Sequence, residues 1–149
     1  MIRELGRPGD LGWVIKAHGE LYASEYGWNT TIEGEVARIA ADFAAGHDPD
    51  RERAWIAEVD GRRVGSIFCV DAGADDTALL RLLVLDRAAR GHGLGGRLVD
   101  TCLDFARGAG YRRMRLWTTD PLVAARQLYL SRGFRLTAQV PHHTYGKQM

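Results

Sequence analysis

Nine residues, TALLRLLVL from Thr77 to Leu85, constrain the fold more than any other stretch of the chain. Apolar side chains fall on both faces of that run, a pattern that suits a strand whose sheet is covered by helices on both sides. The glycine-rich segment from Arg90 to Gly96 follows. A helical stripe of Leu94, Leu98, Cys102 and Phe105 leaves it and ends at Gly108 or Gly110. The strand RRMRLWT, Arg112 to Thr118, completes a strand–helix–strand crossover.

The flanking segments add antiparallel elements to this crossover. Ile2 to Leu5 reads as a short strand. Leu11, Val14, Ile15, His18, Leu21 and Tyr22 recur at helical spacing behind Pro8-Gly9-Asp10. Thr30 and Glu33 form a capping box that opens a second helix through Ile32, Val36, Ile39 and Phe43, stopping at Gly46. RAWIAEV and RVGSIFCV flank Asp60-Gly61, a strong hairpin signal. Asp120-Pro121 caps a helix through Ala124, Ala125, Leu128 and Tyr129 that stops at Arg132-Gly133. FRLTAQV and HHTYGKQM read as closing strands. The fold class is therefore α/β: a mixed, mostly antiparallel twisted sheet of six or seven strands, with about four helices on its two faces. No repeat or linker divides the 149 residues, so one domain spans 1–149.

Charge and cysteine usage narrow the partners. Twenty Lys and Arg against nineteen Asp and Glu leave a net charge of +1, which makes no electrostatic case for nucleic acid. Cys69 and Cys102 both sit in apolar patterns and read as buried free thiols. The first residues form no signal peptide and no apolar run approaches bilayer length, so a cytoplasmic location and no membrane partner are expected.

Gly91, Gly93 and Gly96 fit the spacing G-x-G-x-x-G, but the dinucleotide-binding context is missing. Asp86 to Arg90 stand between the strand and Gly91, and no carboxylate follows Leu116-Trp117-Thr118 at the tip of the next strand. The alternative phosphate loop G-x-x-x-x-G-K-[ST] is absent.

The segment LLVLDRAARGHGLGGRLVDTCLDFARGAGYRRMRLWT instead resembles the acetyl-CoA-binding core of the GCN5-related N-acetyltransferase superfamily. That family's [Q/R]-x-x-G-x-[G/A] signature reads here as Arg90-Gly91-His92-Gly93-Leu94-Gly95, and its later helix block appears as ARQLYLSRGF, Ala125 to Phe134. The likeness is close over roughly residues 50 to 136 and holds in outline elsewhere. One position departs: where the family commonly has an Asn at the start of the tyrosine-bearing helix, this chain has Leu122.

The resemblance implies an acetyl-CoA-dependent N-acetyltransferase acting on a primary amine of a small molecule or peptide by direct attack in a ternary complex. The alternative is a non-catalytic acetyl-CoA-binding sensor or interaction module, and a homodimer is left open. Arg90, Gly91, His92, Gly93, Leu94, Gly95 and Gly96 would bind the cofactor: the N–H groups of His92 to Gly96 surround the diphosphate, the glycines remove β-carbons from its path, and Arg87, Arg90 and Arg97 flank the loop. Tight helix–strand packing is the other use of those glycines. Leu83, Val84 and Leu85 would pair their backbone with the pantetheine arm, and an N–H near Val84 would polarise the carbonyl. Tyr129 would protonate the departing thiolate. Tyr22, Glu25, Trp28 and Arg81 are candidates for the acceptor pocket. Arg81 serves either as an anion clamp or as a paired edge arginine. Glu58, Glu25 and His18 are candidate bases, with water the alternative. His142-His143 lack a third ligand, so no metal is expected.

Overall fold

A computed structural model describes residues 1–26, 30–73, 76–118, 123–139 and 143–148. The order is β1 (Ile2–Glu4), α1 (Asp10–Tyr26), α2 (Thr30–Gly46), β2 (Arg53–Val59), β3 (Arg62–Asp71) and β4 (Thr77–Leu85). A 3-10 turn (Arg87–Ala89) leads to α3 (Leu94–Gly108), β5 (Arg113–Thr118), α4 (Val123–Ser131), β6 (Arg135–Gln139) and β7 (His143–Gln148). The strands form one seven-stranded sheet in the order β1-β2-β3-β4-β5-β7-β6. Only β4 and β5 run parallel.

The doubly apolar reading of Thr77–Leu85 holds, because Ala78 and Leu80 join the core under α3 while Leu82 packs against the core under α1 and α2, and β3 divides in the same way. Ile67 and Cys69 of β3 pack toward α3, with Leu98, Cys102 and Met114. Phe68 and Val70 point the other way, onto Val14 of α1 and Val36 and Phe43 of α2. The β2–β3 hairpin turns through Asp60 at φ 52 and Gly61 at φ 76, the two left-handed residues of a type I′ turn. Both cysteines are buried and unbridged, as expected. The Asp120-Pro121 cap lies outside the described residues, and so does Leu122.

Asp10 anchors the start of α1. Its carboxylate accepts from the Gly6 and Arg7 N–H groups at 2.9 and 2.8 Å, from both terminal nitrogens of Arg3 at 2.9 Å, and from Arg63 Nε at 2.8 Å. Burial by itself would raise this carboxyl, but the bonds from Arg3, Gly6, Arg63 and Arg7 outweigh it and hold Asp10 well below the usual carboxylate range. Helix α1 then packs along α2, with Gly19 leaving room for the Glu33 carboxylate, 2.9 Å from where a Cβ would stand.

Candidate functional site

Strands β4 and β5 pair only over Thr77, Ala78 and Leu79 against Arg113, Met114 and Arg115. Beyond that point β4 continues to Leu85 and β5 to Thr118 with no ladder between them. The sheet therefore forks in its middle. On that side of β4, alternate N–H and C=O groups of Leu80–Leu85 have no strand partner, while β3 pairs with the opposite edge.

A bulge shapes the β4 arm of the fork. Ser66 stands opposite Val84 and Phe68 opposite Arg81, so Leu82 and Leu83 together face Ile67. Leu82 takes φ 53, a left-handed conformation that a leucine rarely adopts. The buried Ser66 hydroxyl donates to the Leu82 carbonyl at 2.8 Å and so ties the bulge to β3. Sequence reading missed Ser66. The available signal was a lone hydroxyl inside the apolar run GSIFCV.

The glycine turn closes the base of α3. Gly91 and Gly93 take φ 86 and 73, and a Cβ on either would meet open space, so the left-handed backbone is what requires glycine there. Gly93 caps α3 with no side-chain bond, and Arg97 N–H is the first to reach back, to the Gly93 carbonyl at 3.1 Å. The N–H groups of the first turn are thus left for an outside acceptor. Gly95 and Gly96 do different work from the expected clearing of an anion's path. Their missing side chains leave room for Leu128 and for the Arg132 guanidinium, which pairs with Asp100 at 3.2 Å. Arg90 turns back to donate to the Leu85 carbonyl at 3.3 Å.

Tyr129 on α4 is buried beside Phe134, their ring centroids 5.8 Å apart. Burial drives its hydroxyl pKa far up, and the neighbouring Tyr22 and Cys102 push the same way, so the phenol stays protonated. Tyr22, one turn beyond His18 on α1, is thereby brought into the electrostatic reach of Tyr129. Arg81 lies half-buried on β4 where the fork opens. The Glu25 side chain and Trp28 lie outside the described residues.

Two base candidates are set apart from this chemistry. Glu58 sits on β2, two strands from β4, and accepts from Arg3 Nε at 2.7 Å. Its carboxyl is lowered by that bond, which suits an ion-pair partner of the N-terminal edge and not a base at the fork. His18 is buried, its Nδ1 bonded to the Val14 carbonyl at 2.8 Å and its Nε2 without a partner. Burial lowers its pKa to about 4, with the Val14 bond opposing only in part. Among the described residues no three His, Cys, Asp or Glu cluster to hold a metal, and His142 is outside them.

Residues 15–134 match the model of the Acetyltransferase (GNAT) family. The chain is 37% identical over 82 residues to a probable N-acetyltransferase camello of Xenopus tropicalis, covering 54% of this chain and 37% of that protein. It is 34% identical over 89 residues to an N-acetylaspartate synthetase of the same organism, covering 60% and 33%. The chain thus spans well under half the length of these curated relatives. Among solved structures, the PaiA N-acetyltransferase of Thermoplasma acidophilum in complex with coenzyme A superposes with a TM-score of 0.79 at 16% identity, over 100% of this chain and 98% of that one. That likeness is one of fold.

Proposed function

Because the chain belongs to the GNAT acetyltransferase family, we propose that it is an acetyl-CoA-dependent N-acetyltransferase that moves the acetyl group to a primary amine of a small molecule or peptide, by direct attack in a ternary complex. The observation that carries this reading is the fork between β4 and β5 beside the uncapped N-terminus of α3. The unpaired β4 edge suits the amide groups of a pantetheine arm, and the open N–H groups of α3 suit a diphosphate. When bound, acetyl-CoA supplies an activated acetyl thioester.

The chain's own residues then have the following parts. Leu83, Val84 and Leu85 offer backbone groups along the arm, and an N–H near Val84 is the donor for the carbonyl oxygen. The first turn of α3, from His92 to Gly96, orients the diphosphate. Tyr129 gives its proton to the departing thiolate. A phenol held neutral by burial is an acid and not a base, which matches that part. Arg81 and Tyr22 border the acceptor side, and the proton of the amine leaves through water. The second reading, a sensor that binds acetyl-CoA without turnover, has no use for the buried tyrosine. One relative is named for the acetylated form of an acidic amino acid, which supports an amine acceptor.

Thiol release over a panel of amines tests the proposal. Tyr129→Phe should keep the fold and the affinity for acetyl-CoA, since the ring still packs on Phe134. Its kcat should fall by roughly a hundredfold. The loss should shrink with an acyl donor whose leaving thiol is more acidic. Parent-like turnover of the variant, with chemistry rate-limiting, would make Tyr129 a packing residue. Absence of turnover with every amine, alongside tight acetyl-CoA binding, would leave the sensor.

A further inference from the structure

The near-zero net charge conceals a division along the chain. Residues 105–149 carry eight Lys and Arg against one carboxylate, Asp120, while the first 104 carry eighteen carboxylates against twelve basic residues. Strands β5, β6 and β7 contain no Asp or Glu.

The ladders gather part of this charge on one face. In β5, Met114 and Leu116 are buried toward α3, so Arg113, Arg115 and Trp117 alternate to the opposite face, where all three are exposed. Arg115 stands opposite Gly146 of β7, and Gly146 stands opposite Arg135 of β6. Arg115 and Arg135 therefore flank a strand position with no side chain, about 10 Å apart by strand spacing. On the other side, Leu79 of β4 is level with Arg115, which carries the same face to Arg81 at the mouth of the fork. Helices α1 and α2 pack over β2 to β4 on this face, through Phe68, Val70 and Leu82. The β5 and β6 arginines lie beyond that cover. Among the described residues, no ion pair engages Arg81, Arg113, Arg115 or Arg135.

We propose that this face docks an acidic polypeptide segment and delivers its amine to the fork. The inference rests on the acetyltransferase reading above. Guanidinium groups bind carboxylates in two-pronged fashion, and none on this face is satisfied by an ion pair within the described chain. From β4 to β6 the arginines span three strand spacings, about 14 Å, which is too far for the carboxylates of one free amino acid to bridge. A segment with several acidic side chains matches that spread. Trp117, 56% exposed between the arginines and the fork, offers an apolar ring to the same segment. A nucleic acid would match the charge but brings no alkylamine to an acetyl donor.

The experiment compares two peptide series with the same terminal amine, one followed by Asp and Glu, the other by Asn and Gln, with free aspartate as a third acceptor. The acidic series should show a KM at least tenfold lower at low salt, and the difference should shrink as salt is raised. Replacing Arg113, Arg115 and Arg135 together by Gln should raise the KM of the acidic series to that of the neutral one, with acetyl-CoA affinity and the thermal midpoint retained. Fluorescence anisotropy of a labelled acidic peptide tests the surface without turnover, so that a failed acetyltransferase reading and a failed docking surface give different results. Equal binding of both series, a preference that survives the triple replacement, free aspartate serving as well as the acidic peptides, or an oligonucleotide displacing the peptide at equal concentration would each overturn the proposal.

Discussion

Leu82 holds a backbone conformation that costs a leucine about 1–3 kcal/mol, and it persists only because its surroundings fix it. Ser66 is one such constraint, a fully buried hydroxyl whose hydrogen bond goes to the Leu82 carbonyl. Ser66→Ala would leave that carbonyl without its partner and should lower stability by about 1–3 kcal/mol, read from urea unfolding. If the bulge sets the direction of the β4 edge, acetyl-CoA affinity should fall as well, and Ser66→Thr should restore part of both. Unchanged unfolding in the alanine variant would show that packing alone holds the bulge. Neither residue was legible in advance. A leucine at positive φ breaks the local rules on which sequence reading rests, and a serine among apolar residues declares burial without naming its partner.

The turn before α3 was legible as an element, although its glycines were not separable there. Four glycines at 91, 93, 95 and 96 look alike in the sequence, but only the first two sit at positive φ. Gly93→Ala should therefore strain the cap of α3, costing about 1–2 kcal/mol and weakening acetyl-CoA binding. Gly96→Ala meets the end of a long arginine side chain, which can move away, so it should cost less and act mainly through the Arg132–Asp100 pair. Thermal midpoints and calorimetric titration of the two variants check the order, and a larger loss for Gly96→Ala would reverse the assignment. The β2–β3 hairpin was similarly plain, since Asp60-Gly61 has one compact solution. The knot at Asp10 was not, because it joins Arg3 and Arg63 across 60 residues of chain that no local pattern connects.

At the scale of the whole molecule, stability should depend on pH through His18. Its folded pKa, about 4, lies below the ordinary value of 6.5 because burial disfavours the imidazolium. The unfolded chain thus takes up a proton first as pH falls. Stability should drop between pH 6.5 and 4, by about 3 kcal/mol, and the slope should end near pH 4 where both states are protonated. Asp10 acts mainly below that window, since the stability from its lowered carboxyl is lost only as pH falls past the ordinary value of 3.8, where the unfolded chain takes up the proton first. His18→Leu should flatten the decline in chemical unfolding measured across this range, and an unaltered slope would place its origin elsewhere. Fold class, the central position of β4 and the crossover were all readable from periodicity, because burial on two faces leaves a plain mark on nine consecutive residues. The charged face was hidden by averaging: a net charge of +1 describes neither part of the chain.

The forked sheet has one more consequence. An unpaired strand edge normally lies at a sheet's rim, where a second molecule can add its own strand and begin to aggregate. Here such an edge, Leu80–Leu85, is enclosed between β3 and the diverging β5. A foreign strand would have to wedge between two strands of the same sheet to reach it, while a slender extended chain need only slide in. The molecule can thus keep hydrogen-bonding groups ready for a guest without offering them to its own copies.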